Sequence, residues 1–283
     1  MTEHRIAANG LTHYVRDSGA ADAPAAILLH GFPDSSAVWD KATPKLTAAG
    51  FRIVAPDMRG FGETDMGARV ADYDIRTGAI PDVLGIMDAL KIERAHLVGH
   101  DFGAPVAWAL AAQHPARFAT LTAISVGHMR AFFQAGAEQK RRSLYILFHQ
   151  FRGLCEAAYR FNDWALLRRH WSAHGDLEAT IRLLARPGRL TAGLNWYRAN
   201  ASITRMLSPP KMNAFGEEII RIPTLGLWSD GEKYLVEAQM INSADYVEAP
   251  WRYERIEDAS HWIPYDAPER MADLLIEHWT NAR

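Results

Sequence analysis

The chain has 283 residues, of which 48% are hydrophobic and 23% are charged, and its formal net charge is −2. These values are ordinary for a globular protein and suit one large α/β domain with an insertion. Acidic and basic side chains are well mixed, and without a basic stripe or charge block we expect no nucleic-acid partner. Because no apolar run approaches the roughly 20 residues of a membrane span, we also expect no membrane partner.

The cellular location is predicted from the cysteine count and from the first residues. Cys155 is the single cysteine, which excludes an intrachain disulfide and fits a reducing compartment. The opening residues, MTEHRIAANG, lack the basic start and the apolar run of a secretory signal peptide. We therefore expect a cytoplasmic protein.

Apolar runs alternate with amphipathic stretches through the first 125 residues. Short apolar runs predict four strands, at Ala25–His30, Arg52–Ala55, Ala95–Val98 and Phe118–Ser125. Apolar residues at helical spacing predict two helices, at Ala79–Leu90 and Ala104–His114. Such alternation of strands and helices predicts a parallel sheet flanked by helices, which is the α/β class.

The pattern changes between residues 126 and 213, where aromatic and Arg-rich helical segments such as SLYILFHQF and DWALLRRHWSAH replace the strands. Strand patterns return at Pro223–Trp228 and Tyr253–Ile256, and a closing helix is predicted at Pro268–Trp279. We therefore predict a core domain of residues 1–125 and 214–283, with residues 126–213 inserted as a helical lid. An insertion after a strand's carboxyl end lies over the crevice where open α/β sheets bind ligands.

The stretch LVGHDFGA, residues 97–104, has the layout of a nucleophile elbow with Asp101 in place of serine. Gly99 and Gly103 flank Asp101 between a predicted strand and a predicted helix, where a sharp turn favours small residues. A carboxylate that attacks a carbonyl would form an anhydride, whereas attack on a saturated carbon with a leaving group forms an alkyl ester. The pattern therefore predicts Asp101 as a nucleophile, with a simple helix N-cap as the alternative.

Hydrolysis of such an ester needs a base that activates water and an acid that orients the base. His261, in DASHW between the last strand and the closing helix, is predicted as the base. His30 and His100, beside glycines at two strand ends, are predicted to be structural. The orienting acid should follow the strand PTLGLW, where we favour Glu232 and keep Asp230 as the alternative.

The tetrahedral intermediate of ester hydrolysis also needs an oxyanion hole. The backbone N–H of Phe102, directly after the nucleophile, is one expected donor. The N–H of Phe32 in HGFP, after the first predicted strand, is the second. Gly31 allows a close backbone turn there, and Pro33 is a position where a cis peptide bond is allowed.

Together, HGFP, DMRGFG, GHDFGA, the acidic turn after PTLGLW and DASHW resemble the epoxide hydrolases of the α/β-hydrolase fold. The resemblance runs through nearly the whole chain, including the insertion. It implies two lid tyrosines whose hydroxyls bind and protonate the epoxide oxygen. The segments SLYILFHQ and LNWYRAN resemble the two family segments that carry these tyrosines, which implies the roles for Tyr145 and Tyr197. Tyr159 is the substitute if Tyr145 points away from the cavity.

Haloalkane and fluoroacetate dehalogenases also resemble this elbow, but they place Trp or Arg after the aspartate. Phe102 stands at that position here and has no side-chain donor for a halide or a carboxylate. We therefore predict an epoxide hydrolase that converts a hydrophobic epoxide and water to a vicinal diol, with no cofactor and no metal. A dehalogenase and a non-catalytic binding protein of the same fold are the alternatives, and a homodimer is left open.

Overall fold

The computed structural model describes residues 1–202 and 219–282. Within these residues, eight strands form one sheet in the order β1-β2-β4-β3-β5-β6-β7-β8. The strands are Thr2–Ala8 (β1), Leu11–Ser18 (β2), Ala25–Leu29 (β3), Arg52–Pro56 (β4), Ala95–His100 (β5), Phe118–Ile124 (β6), Thr224–Gly231 (β7) and Trp251–Ser260 (β8). Strands β1 and β2 pair in antiparallel fashion, β2 pairs antiparallel with β4, and every other neighbouring pair is parallel.

The α-helices of the described residues fall into a core set and an inserted set. The core set is Thr43–Ala48 (α1), Ile80–Ala89 (α2), Gly103–Gln113 (α3), Glu237–Ile241 (α10), Ile263–Asp266 (α11) and Pro268–Asn281 (α12). Between β6 and β7 the chain inserts Met129–Gln134 (α4), Gly136–Arg142 (α5), Leu144–His149 (α6), Leu154–His170 (α7), Leu177–Ala185 (α8) and Arg189–Asn200 (α9). Helix α7 is broken by a kink at residues 161–164. The predicted α/β sheet with helical flanks is confirmed.

The sheet is buried on both faces, which explains the continuous apolar runs of its central strands. Successive residues of a strand point to opposite faces. Leu97 of β5 belongs to one buried cluster together with residues of α2 and α3. Val98 belongs to a second cluster with Leu46 of α1 and Trp279 of α12. The carboxyl end of β5 therefore lies in the middle of a sheet whose two faces are both covered by packed helices.

The sequence patterns do not predict β1 and β2. Strand β1, TEHRIAA, lies at the sheet edge, and Ile6 is its one buried residue. An exposed edge strand needs little apolar surface, so it lacks the apolar run that marks the central strands. The remaining strands match the predicted positions, with bounds that differ by up to four residues, the largest difference being at the end of β8.

The insertion joins the core through a buried polar contact. His174, between α7 and α8, places its Nε2 atom 2.8 Å from Oδ1 of Asp34, and the indole N–H of Trp262 donates to Oδ2 at 3.1 Å. All three side chains are buried. The predicted boundary at 213/214 lies outside the described residues, so the division into core and lid stays a prediction. Of the helices described, none is long and apolar enough to cross a membrane.

Candidate active site

The turn after β5 has the geometry of a strand-to-helix elbow. Asp101 has a φ of +50°, a left-handed conformation that non-glycine residues seldom adopt and that marks strain. A Cβ atom on Gly99 would lie 2.3 Å from the carbonyl oxygen of Gly103, and one on Gly103 would lie 2.1 Å from that of Leu29. Both flanking positions therefore require glycine, and Asp101 stands at the N-terminus of α3, where the helix dipole favours a carboxylate.

The two oxygens of the Asp101 carboxylate have different surroundings. Oδ1 accepts a hydrogen bond from the backbone N–H of Phe32 at 2.7 Å. Oδ2 lies 3.5 Å from Nε2 of His261. A Cβ atom on Gly31 would stand 2.2 Å from Oδ1 and 2.5 Å from the backbone nitrogen of Phe102, so both N–H groups predicted for the oxyanion hole border this carboxylate. The Phe32–Pro33 peptide bond is cis.

His261 is held by Glu232. Nδ1 of the imidazole lies 2.5 Å from Oε2 of this carboxylate, and the backbone N–H of Tyr234 donates to Oε1 at 2.7 Å. Glu232 and His261 are both buried. Asp230, the alternative acid, is exposed at the end of β7, where its hydrogen-bond partners include the backbone of Asp258. The structure therefore brings Glu232, and not Asp230, to the imidazole.

The electrostatics around His261 favour the imidazolium form. Burial lowers the pKa of the imidazole, but the charge of Glu232 and the hydrogen bonds to Asp101 and Glu232 outweigh burial and raise the pKa to about 10. At neutral pH this group therefore carries a proton. Removal of the negative charge of Asp101 would lower the pKa, because that carboxylate is one of the causes of the increase.

His30 and His100 are fully buried and bind backbone atoms. Nε2 of His30 accepts the N–H of Met58 at 2.9 Å. Nε2 of His100 lies 2.9 Å from the carbonyl oxygen of His261. Burial first, and then the charge of His261, lower the pKa of His100 to about 4. His100 is therefore neutral and donates to that carbonyl, which fixes the backbone of the histidine loop against β5.

Two tyrosines from the insertion face the same cavity as Asp101. The rings of Tyr145 on α6 and Tyr197 on α9 have centroids 6.0 Å apart, and both line the cavity. Burial is the largest cause that raises the pKa of each phenol above its ordinary value, and the charge of Asp101 contributes to both increases. Both hydroxyls therefore keep their protons at neutral pH and are available as donors.

Tyr159, the predicted substitute for Tyr145, binds another residue away from the cavity. Its hydroxyl lies 2.7 Å from Nε2 of His149, and its side chain is buried within the insertion. Tyr159 is absent from the residues that line the cavity in the described structure. Tyr145, by contrast, points into the cavity, so the geometry gives no reason to replace it.

The sequence reasoning missed Tyr234. Its backbone N–H binds Glu232, its hydroxyl donates to the carbonyl oxygen of His170 at 2.6 Å, and its ring centroid lies 5.3 Å from that of His261. It therefore links the acid, the base and the insertion. The only indication in the sequence was that Tyr234 lies two residues after Glu232. Its contacts with His170 and His261 join residues far apart in the chain, and such contacts leave no local sequence pattern.

The cavity has a volume of about 400 Å³ and a mainly apolar wall. One polar end is formed by Asp101, His261, Tyr145, Tyr197 and Tyr234, and Gln139, Lys140, Ser143 and Asn200 are further polar residues of the lining. The apolar wall includes Ile75, Phe102, Pro105, Val126, Met129, Phe132, Phe133, Ile146 and Leu235. A cavity of this kind suits a small hydrophobic ligand with one polar end. In residues 1–202 and 219–282, no group of three or more His, Cys, Asp or Glu side chains is placed to hold a metal ion.

Arg198 braces the helices that carry the two tyrosines. Its guanidinium forms a bidentate pair with Glu156 of α7, with N···O distances of 2.8 and 3.1 Å, and Nε donates to the carbonyl oxygen of His149 at 2.9 Å. Because Arg198 follows Tyr197 and His149 ends the helix of Tyr145, these bonds connect the two tyrosine-bearing helices directly.

Comparisons with known proteins identify the family of this chain. A family model described as the α/β-hydrolase fold matches residues 24–268. Epoxide hydrolase A of Mycobacterium tuberculosis is 30% identical over 99% of this chain and 97% of its own length. The AB hydrolase superfamily protein YfhM of Bacillus subtilis is 29% identical over 96% of both chains.

Solved structures show the same fold. The epoxide hydrolase of Bacillus megaterium, solved in complex with an inhibitor, superposes with a TM-score of 0.87 over 98% of this chain and 100% of its own, at 20% sequence identity. The match of the family model over residues 24–268 and the 30% identity to epoxide hydrolase A over 99% of this chain show its family. The chain belongs to the α/β-hydrolase fold family, among the epoxide hydrolases.

Proposed function

We propose that the protein hydrolyses a hydrophobic epoxide to a vicinal diol through a covalent alkyl ester on Asp101. The observation that carries this proposal is the pairing, across one cavity, of a carboxylate nucleophile with two tyrosine hydroxyls, those of Tyr145 and Tyr197. A carboxylate suits attack on a saturated carbon, and neutral phenols suit an oxygen leaving group that must gain a proton. The apolar wall supports an aryl or alkyl substituent on the epoxide.

In the first step Oδ2 of Asp101 attacks an epoxide carbon, the C–O bond of the ring breaks, and the ring oxygen takes a proton from Tyr145 or Tyr197. Oδ1 stays on the N–H of Phe32, its partner at 2.7 Å, and becomes the carbonyl oxygen of the ester. The tyrosinate regains a proton from the imidazolium of His261. Ring opening therefore leaves an alkyl ester, two neutral phenols and a neutral imidazole.

In the second step neutral His261 removes a proton from water, and the hydroxide attacks the ester carbonyl carbon. The N–H groups of Phe32 and Phe102 stabilise the negative charge that develops on Oδ1. As the intermediate collapses, its C–O bond to the alkoxide breaks and the alkoxide takes the proton of the added hydroxyl, so the diol leaves and the Asp101 carboxylate is restored. His261 keeps the proton it took from water and is again an imidazolium beside Glu232. Atoms and protons balance over the cycle without a metal or an organic cofactor.

A dehalogenase is the second candidate, because it would use the same nucleophile. A halide leaves without a proton and needs N–H donors at the cavity wall. Phe102, which lines the cavity directly after Asp101, offers none from its side chain. A side-by-side assay on a simple aryl epoxide and a haloalkane separates the candidates: we expect diol and no halide. Halide release without diol would contradict the proposal, and no turnover of either would favour a binding protein.

The role of the insertion as a lid, the cytoplasmic location and a homodimer remain predictions. The contacts that support the lid role are those of Tyr145 and Tyr197, which reach the cavity from the insertion. Limited proteolysis with and without an epoxide analogue tests this role, because a lid closed over a ligand should be protected.

Replacement of Glu232 by Gln should move the pH dependence of ester hydrolysis to lower pH. The negative charge of Glu232 raises the pKa of His261, so its removal lowers that pKa. Hydrolysis needs the neutral imidazole, so its rate rises as pH passes upward through the pKa, and this rise should occur at lower pH in the variant. Loss of the orienting charge should also reduce the plateau rate by on the order of 10³–10⁴-fold.

The measurement is the single-turnover decay of the alkyl ester between pH 5 and 10, and Asp230→Asn is the matched control. Asp230 is two residues away but exposed, so its variant should keep the wild-type profile. An equal loss of the plateau rate in Asp230→Asn would contradict the assignment of Glu232 as the orienting acid. A rise of the hydrolysis rate that moves to higher pH in Glu232→Gln would also contradict it.

A further inference from the structure

Exposed apolar side chains are concentrated on the insertion. Among the described residues, eight large hydrophobic side chains are exposed, and five of them are in the insertion: Leu144, Phe151, Leu154, Phe161 and Leu166. The other three, Met1, Met66 and Ile241, lie far apart in the sequence. Single exposed apolar residues are normal on a protein surface, but a group on one segment marks an interaction site.

The first half of α7 has its apolar face directed outwards. Leu154, Ala157 and Phe161 are exposed at spacings of three, four and seven residues, which places them on one side of a helix. Phe161 is 77% exposed. The charged Glu156 is instead buried, where it pairs with Arg198. Cys155 and Tyr159 on the opposite side are buried in the core, so this segment carries apolar side chains on its outward side as well as on its packed side.

The turn after Phe161 is strained. Asn162, Asp163 and Trp164 have φ values of +48°, +51° and +62°, a left-handed region that non-glycine residues seldom adopt. Asn and Asp tolerate this conformation, but Trp does so only when its surroundings impose it. Trp164 is buried, and its packing holds a turn that ends the helical segment at Phe161. Backbone strain of this kind is typical of sites that bind.

Exposed arginines outnumber exposed carboxylates on this segment, where Asp163 is the exposed acid. Arg152, Arg160 and Arg169 are exposed, and the described residues place no carboxylate within 4 Å of their guanidinium groups. Arg168, by contrast, pairs with Asp163 and Glu178. Phe151, Leu154, Phe161, Leu166 and these three arginines are all exposed on one segment, residues 151–169, and we call this set of side chains the α7 surface.

We propose that the α7 surface binds an anionic lipid membrane. Exposed Phe and Leu side chains beside Arg are the composition with which a helix lies in a bilayer interface, and each basic residue adds attraction to acidic phospholipid headgroups. A second copy of this chain fits less well, because a two-fold contact places a surface against itself and brings the unpaired arginines together. The proposal departs from the expectation of no membrane partner, which was based on the lack of an apolar run long enough to span a bilayer, and it does not depend on the proposed activity.

Co-sedimentation with vesicles tests this proposal. We expect the protein to bind vesicles of phosphatidylcholine with 30% phosphatidylglycerol and to bind pure phosphatidylcholine vesicles at least tenfold more weakly. Leu154→Ser with Phe161→Ser, and separately Arg152→Gln with Arg160→Gln and Arg169→Gln, should each weaken binding at least tenfold. The matched control, Met66→Ser with Ile241→Ser, removes two exposed apolar side chains elsewhere and should bind like the wild type.

Three results would overturn the proposal: no binding to the acidic vesicles, equal binding by the α7-surface variants, or an equal loss in the control. A wild-type dimer that dissociates on substitution of Leu154 and Phe161 would assign the surface to a second copy instead. Circular dichroism and turnover of a water-soluble aryl epoxide show that the variants are folded, since none of the substituted residues lines the cavity. If neither the wild type nor any variant turns over the epoxide, the proposed activity fails, while the result of the vesicle experiment still stands.

Discussion

Replacement of His261 by Gln should stall the protein as an alkyl ester on Asp101. Ring opening uses the Asp101 carboxylate and a tyrosine proton, and in the variant the tyrosinate can regain its proton from water, so one equivalent of epoxide should still react. Hydrolysis of the ester needs a base near its carbonyl, and loss of a general base slows such a step by roughly 10²–10⁴-fold. Intact mass spectrometry should therefore show the variant heavier by one epoxide, and peptide mapping should place this mass on Asp101.

The control is the double variant His261→Gln with Asp101→Asn, which should gain no mass because the amide replaces the nucleophile. An adduct that persists in the double variant would show attack by another residue. Complete turnover by the single variant at the wild-type rate would show that His261 is not the base, even though it lies 3.5 Å from Asp101.

The double variant Tyr145→Phe with Tyr197→Phe should lose nearly all ring opening. Both hydroxyls line the cavity and stay protonated, because burial raises both phenol pKa values. Loss of one preorganised donor typically costs about 10²–10³-fold, so loss of both should reach 10⁴-fold or more. Phenylalanine keeps both rings, including the contact of the ring at position 197 with the ring of Phe102, whose centroids lie 4.7 Å apart. The measurement is the single-turnover rate of ester formation by rapid quench.

Tyr159→Phe is the control for this pair. It removes a buried hydroxyl bound to His149 and should reduce the free energy of unfolding without changing the rate of ester formation. If the double variant opened the ring at the wild-type rate, the main support for an epoxide substrate would be removed. Equal loss in Tyr159→Phe would show that the effect arises from the fold of the insertion.

The sheet and the elbow were predictable because their signals are local. Buried parallel strands are apolar throughout, and the elbow needs glycine at Gly99 and Gly103 for steric reasons that appear in the sequence itself. The edge strand β1 has little apolar surface to bury and gave no comparable signal. The positions of Tyr145 and Tyr197 came from the family resemblance, because two aromatic helices do not by themselves reveal where they face.

The choice between Glu232 and Asp230 needed the structure. Residues two apart in a regular strand point to the same side, so strand periodicity could not separate them. The pairing of β7 with β8 has an irregularity between Ser229 and Gly231, after which Glu232 is buried beside His261 and Asp230 stays exposed. The exposure of Leu154 and Phe161 on α7 could also be found only from the structure, because apolar side chains on a helix are ordinarily expected to pack in the core.

The most direct test of a covalent ester on Asp101 is a single turnover in ¹⁸O-labelled water with the protein in excess over the epoxide. Water attacks the ester carbonyl in the proposed mechanism, so the label should enter the Asp101 carboxylate. The diol should be unlabelled, with one oxygen from the epoxide and one from Asp101. Label in the diol and none in the peptide that contains Asp101 would show direct attack by water on the epoxide and would contradict the covalent mechanism.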